Sequence, residues 1–99
     1  MRVYIIGDIN TITRAETFKK FKETEQVLND KGFVPLNPLN LYEIFPLGAS
    51  DEYTEITLTM LKNYDGFCVI DCNTKKSQIE KMWAESLHLK EITLKRDNT

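Results

Sequence analysis

Gly66-Phe-Cys-Val-Ile-Asp71, running through Cys72-Asn-Thr-Lys-Lys-Ser77 into Gln78-Ile-Glu80, is the stretch that decides the fold. Phe67, Cys68, Val69 and Ile70 form an unbroken apolar run between Gly66 and Asp71, the pattern of a strand buried on both faces. Ser77-x-x-Glu80 then reads as a capping box that opens a helix over 77–89, with Ile79, Met82, Trp83 and Leu87 inward. A buried strand that passes directly into a helix is the repeating unit of a parallel α/β sheet.

The alternation extends in both directions. Arg2-Val-Tyr-Ile-Ile6 is a second buried-strand pattern, stopped by Gly7. Thr13-x-x-Glu16 is another capping box, followed by Phe18, Phe21, Val27 and Leu28 on one helical face and closed by Gly32. Phe33-Val-Pro35 is a very short strand, ended by Pro35 and Asn37-Pro38. A helix starting near Ser50 or Asp51 carries Tyr53, Ile56, Met60, Leu61 and Tyr64, and Glu91-Ile-Thr-Leu94 reads as a last strand. The order β-α-β-α-β-α-β predicts a three-layer α/β fold, flavodoxin- or Rossmann-like. Its four-stranded sheet should be mainly parallel, with helices on both faces. A single domain over 1–99 is expected, with a frayed tail at 95–99.

Composition narrows the function. Thirteen basic against fifteen acidic residues leave a formal charge of −2, so no electrostatic footprint for nucleic acid or an anionic membrane is present. No apolar run reaches the ~18 residues of a membrane span, and no signal-peptide pattern opens the chain, so the expected location is cytoplasmic. Cys68 and Cys72 sit along or beside one strand, where four residues span ~13 Å, beyond the ~7 Å limit for a disulfide. Two reduced thiols are expected, with no metal and no cofactor. Residues 39–50 hold Leu39, Leu41, Tyr42, Ile44, Phe45 and Leu47, too apolar to float in water. A homodimer using Tyr42, Ile44, Phe45 and Leu47 is expected.

In parallel sheets the ligand crevice lies beyond the carboxyl ends of the strands, where strand order reverses. Gly7 to Thr11, Asn37-Pro38 and Asp71 to Ser77 would converge there. The turn from strand to helix at Thr74-Lys75-Lys76-Ser77 offers N–H groups and two lysines to an anion. Glu80 has two readings at this stage: a capping partner of Ser77, or a chemical group at the crevice.

With these residues assembled, the sequence resembles the small members of the nucleoside deoxyribosyltransferase-like superfamily, which includes deoxynucleoside-monophosphate N-glycosidases. Val3-Tyr4-Ile5-Ile6-Gly7 looks like the family's opening strand. Phe33-Val-Pro-Leu-Asn37-Pro38 is similar to its second strand. Tyr53, Leu58, Leu61 and Tyr64-Asp65 match its middle helix, and Thr74 with Glu80-x-x-x-Ala84 matches its last motif. The resemblance implies that Glu80 is the carboxylate that attacks or stabilises the anomeric carbon, oriented by Tyr4. It also implies a substrate pocket of Gly7, Asp8, Asn37, Thr57, Thr74, Lys76 and Ser77, with Thr74 and the N–H groups after it holding the sugar or its 5′ substituent.

Three departures stand out. The family's acid in the middle helix is Thr57 here, its small pair before the Glu is Lys76-Ser77, and Asp8 stands where Pro or Ser is usual. A carboxylate at position 8 would repel a 5′-phosphate unless Lys75 or Lys76 compensates. The implied function is a nucleoside or nucleotide site that cleaves or transfers at an N-glycosidic bond. The rivals are a non-catalytic module that binds or sequesters a nucleotide-derived small molecule, and a protein-interaction domain with a vestigial pocket.

Overall fold

A computed structural model describes residues 1–9, 14–39 and 50–94, with backbone alone for 50–54. The elements follow in the order β1 (Arg2–Ile6), α1 (Arg14–Asp30), β2 (Val34–Leu36), α2 (Ser50–Leu61), β3 (Gly66–Val69), α3 (Lys75–Ser86) and β4 (Lys90–Glu91). The strands form one sheet in the order β2-β1-β3-β4. Every pairing is parallel, so the mainly parallel sheet expected from the sequence is wholly parallel. The apolar run at 39–50 proposed as a dimer interface, the cap Thr13 and the tail 95–99 lie outside the described residues, as does the Tyr53 side chain.

Successive residues of a strand point to opposite faces, and β1 divides the core accordingly. Val3 and Ile5 join Phe21, Leu28, Leu39 and Cys68 on the α1 side. Tyr4 and Ile6 join Leu61, Tyr64, Phe67 and Ala84 on the α2 and α3 side. Helices therefore cover both faces, as the alternating order requires. Trp83 donates its ring N–H to the Leu58 carbonyl at 3.0 Å and ties α3 to α2.

Helix faces and element ends differ from the sequence reading. In α1 the buried residues are Thr17, Phe21, Thr24 and Leu28, a stripe at i, i+4, i+7, i+11. Phe18 and Val27 are 41% and 40% exposed, and Phe18 lies under the Arg14 guanidinium instead of the sheet. In α2 Thr57 and Leu61 are fully buried, while Ile56 and Met60 are only half-buried. In α3 Ser77, Glu80 and Ala84 face inward, whereas Ile79 and Met82 are 39% and 67% exposed. Polar residues share the inward stripes, so apolar periodicity placed Phe21, Leu28, Leu61, Tyr64, Trp83 and Leu87 against the core but misplaced Phe18, Val27, Ile79 and Met82.

β3 stops at Val69, not Asp71, because β1 offers partners only from Val3 to Ile6. β4 is two residues, paired Gly66↔Lys90 and Phe67↔Glu91, where the sequence suggested 91–94. Cys68 and Cys72 are free. Burial, with the nearby Glu91 charge, pushes the Cys68 thiol up to about 11.

Gly7 sits where β1 meets α1. A Cβ there would lie 2.8 Å from Phe21 Cζ and 3.2 Å from Phe21 Cε2, closer than real side chains pack. Gly7→Ala should therefore overpack this contact by about 1–3 kcal/mol. Thermal unfolding should show the midpoint lowered by roughly 5–20 °C; an unchanged midpoint would mean the ring moves freely aside.

Candidate functional site at the carboxyl edge of β1 and β3

The chain leaves β1 toward β2 on one side and returns to β3 on the other, so strand order reverses between β1 and β3. The crevice beyond their carboxyl ends is the binding position of open α/β sheets. The loops that follow the two strands are laced together there. The Asp8 N–H donates to Asp71 Oδ1, and Lys20 of α1 pairs with Asp71 Oδ2 at 2.6 Å.

The Asp8 carboxylate does more. It accepts from the Asn73 N–H at 2.9 Å and the Asn73 side-chain amide at 3.0 Å. It also accepts from the Thr74 N–H at 2.9 Å, the Thr74 hydroxyl at 2.9 Å and the Ser77 hydroxyl at 2.6 Å. Partial burial penalises its charge, but these donors outweigh that and hold the carboxyl well below the usual carboxylate range. Three of the predicted pocket residues, Asp8, Thr74 and Ser77, are thus one hydrogen-bonded unit.

The cap of α3 is Thr74, whose hydroxyl oxygen accepts from the Ser77 N–H. The capping box expected at Ser77-x-x-Glu80 does not form: Ser77 occupies the third helical position and Glu80 the sixth. Thr74-x-x-Ser77 competes for the same signal, and Asp8 reinforces it from outside the helix. Glu80 is thereby left without a capping role.

Instead, Glu80 faces the sheet and is 4% exposed. The Tyr4 hydroxyl donates to its Oε2 at 2.9 Å. Burial pushes its pKa above the ordinary value near 4.5, against the opposing effects of the Tyr4 hydrogen bond and the Lys76 charge. Tyr4 is itself braced: the Tyr64 ring meets it edge-on, centroids 5.9 Å apart at 74°, and the Arg2 guanidinium covers Tyr64 at 4.7 Å. Lys76 lies one turn before Glu80, and burial lowers its pKa to about 8 although Glu80 pulls it upward.

The other predicted positions have other neighbours. Gly7 is buried against Phe21 and near Asp71 Oδ1. Asn37 is buried with both ends of its amide engaged, donating to Glu25 at 3.0 Å and accepting from the Leu39 N–H at 3.0 Å. Thr57 is fully buried on α2. The sequence placed Asp71 and Asn73 at the crevice only as part of the 71–77 segment, without individual roles, and it missed Lys20 and Tyr64; the α1 position of Lys20 carried no signal. Among the described residues no three His, Cys, Asp or Glu gather to hold a metal ion, and no helix is long and apolar enough to cross a membrane.

The fold, a four-stranded all-parallel sheet with three helices among the described residues, is one that a solved N-glycosidase shares. Residues 1–93 match DUF4406, a domain of unknown function, and the chain belongs to that family. It is similar in structure to the Clostridium botulinum CMP N-glycosidase BcmB, with a TM-score of 0.65 and 20% sequence identity. The match covers 94% of this chain and 70% of that one. No curated protein matches the sequence.

Proposed function

We propose that this domain binds a nucleoside or nucleotide and cleaves or transfers at its N-glycosidic bond, with Glu80 as nucleophile or charge stabiliser and Tyr4 as its positioning partner. The observation that carries the reading is the Glu80–Tyr4 pair. A carboxylate that is buried, not used for capping and raised in pKa costs stability, and such groups cluster where chemistry needs them. The fold shared with a CMP N-glycosidase points the same way.

In the proposed reaction a lone pair of ionised Glu80 adds to C1′ of the sugar as the C1′–N bond breaks. The bonding pair leaves with the base, which takes up a proton from water. Water, or a second base, then displaces the carboxylate from C1′, as in a retaining glycosidase. The Tyr4 phenol engages one carboxylate oxygen and fixes the direction of the other. Gly7, Asn37, Thr57 and Lys76 complete the proposed pocket. Thr57, a hydroxyl where related enzymes carry an acid, favours a second reading in which the pocket binds without turnover.

The test incubates the protein with nucleosides, deoxynucleosides and their 5′-monophosphates, and follows free base by chromatography and melting temperature in parallel. Base release supports catalysis. A shift of several degrees without release supports binding alone, since ligand at 100 times Kd adds about 2.7 kcal/mol. Neither response from any compound would sink both readings.

A further inference from the structure

We infer that Asp8 is an internal anion filling the seat at the N-terminus of α3, and that the site therefore takes a nucleoside without a 5′-phosphate. The inference rests on the N-glycosidic reading of Glu80 and narrows its substrate class.

The N-terminus of a helix directs unpaired N–H groups and a partial positive charge at whatever lies before it, and phosphates commonly bind there. In this chain the approach to that position, at Asn73 and the cap Thr74, is taken. Asn73 N–H, Asn73 amide, Thr74 N–H, Thr74 hydroxyl and Ser77 hydroxyl all converge on the Asp8 carboxylate. An ionised carboxylate offers about four lone-pair sites, so five donors saturate it. No donor of this set remains for a phosphate, and the carboxylate has no capacity left to be useful to one.

The position matters because of Ser77. Ser77 touches Asp8 at 2.6 Å, and it shares the buried face of α3 with Glu80, one turn or about 4.5 Å along the axis. A substrate whose reacting carbon meets Glu80 has its next substituents within a turn of the Asp8 charge. A phosphate dianion there meets the like charge of the Asp8 carboxylate at close range. Of the two lysines that open α3, Lys75 and Lys76, the charge of Lys76 is already set against Glu80. A hydroxyl at the same place meets neither penalty. The CMP N-glycosidase of similar fold is named for a monophosphate; the filled seat separates this chain from it in ligand class.

The experiment compares wild type, Asp8→Ser and Asp8→Asn. Ser opens the seat; Asn removes the charge but keeps a carbonyl acceptor for Thr74 and Ser77, so one variant remains if the other fails to fold. Base release is measured from deoxycytidine and from its 5′-monophosphate, and inorganic phosphate is titrated while melting temperature is followed. Wild type should process the nucleoside at least about tenfold more efficiently than the monophosphate, and the variants should narrow or reverse that ratio. Inorganic phosphate should stabilise the variants and not wild type. A wild-type preference for the monophosphate, or a ratio indifferent to Asp8, overturns the inference. If neither compound releases base with any of the proteins, the full panel of nucleosides and monophosphates is run, and no release from any of them means that the N-glycosidic reading has failed. The phosphate titration then decides the seat alone: stabilisation of the variants only upholds it, and equal stabilisation of wild type overturns it.

Discussion

Glu80→Gln should remove base release, by on the order of 10³-fold or more, and at the same time make the protein more stable at neutral pH. The two effects come from one carboxylate by separate routes. The carboxylate is buried, and burial raises its pKa above the ordinary value near 4.5. Ionising it inside the fold costs more than ionising it in the unfolded chain. A carboxyl with a raised folded pKa contributes stability that is full below the unfolded value and is lost as pH rises through the folded one. Wild type loses that contribution as pH rises above the unfolded value, whereas Gln never ionises and still accepts the Tyr4 hydrogen bond.

The melting temperatures of wild type and Glu80→Gln should therefore nearly coincide near pH 4 and separate as pH rises, with the variant higher. Turnover falls for a different reason: an amide is a poor nucleophile and cannot balance an oxocarbenium-like charge. A variant that is inactive but no more stable at pH 7 would point to loss of a structural hydrogen bond. A variant with wild-type turnover would exclude Glu80 from the chemistry.

Most of the architecture was legible because the strands are short, apolar and separated by clear stops. Val3 to Ile6 and Phe67 to Val69 read as buried strands, and strands so buried pair in parallel when helices intervene. What failed was the helix faces. The inward stripe of α3 is Ser77, Glu80 and Ala84, and that of α1 includes Thr17 and Thr24. Periodicity seeks apolar side chains, so it placed Ile79, Met82 and Phe18 inward instead. The polar stripe of α3 includes Ser77 and Glu80, both residues of the proposed site.

Glu80 and Tyr4 were reached through resemblance, because nothing local in the sequence says that residues 76 positions apart will touch. The Asp8 cluster was half legible. Its charge was visible as an obstacle to phosphate, but the donors that converge on it come from a loop 65 to 69 residues away. Only the pairing of β1 with β3 brings them together.

The second large effect is expected at Thr57. Restoring an acid by Thr57→Asp should raise turnover about tenfold or more if a missing carboxyl limits departure of the base, since general acid catalysis typically contributes 10²–10⁴-fold. The fold will resist. Thr57 is 0% exposed, so the new carboxyl enters a position that water does not reach, and an ionised group there costs several kcal/mol. A loss of about 2–4 kcal/mol lowers the melting midpoint by roughly 10–25 °C for a chain of this size. The same burial raises the new group's pKa, so the penalty should shrink as pH falls toward the ordinary aspartate range. A protonated carboxyl is also the form that can give a proton to a leaving base. Stability and activity of Thr57→Asp should therefore both improve, relative to wild type, as pH is lowered from 8 to 5. Thr57→Asn serves as the control, similar in shape but unable to ionise or to act as an acid. It should show a smaller, pH-independent loss of stability and no gain in base release. Turnover that is rapid in wild type and unchanged in Thr57→Asp would show that the acid is dispensable on this scaffold. Turnover absent in both, with nucleoside binding intact, would show that Thr57 alone does not separate a binding pocket from an enzyme.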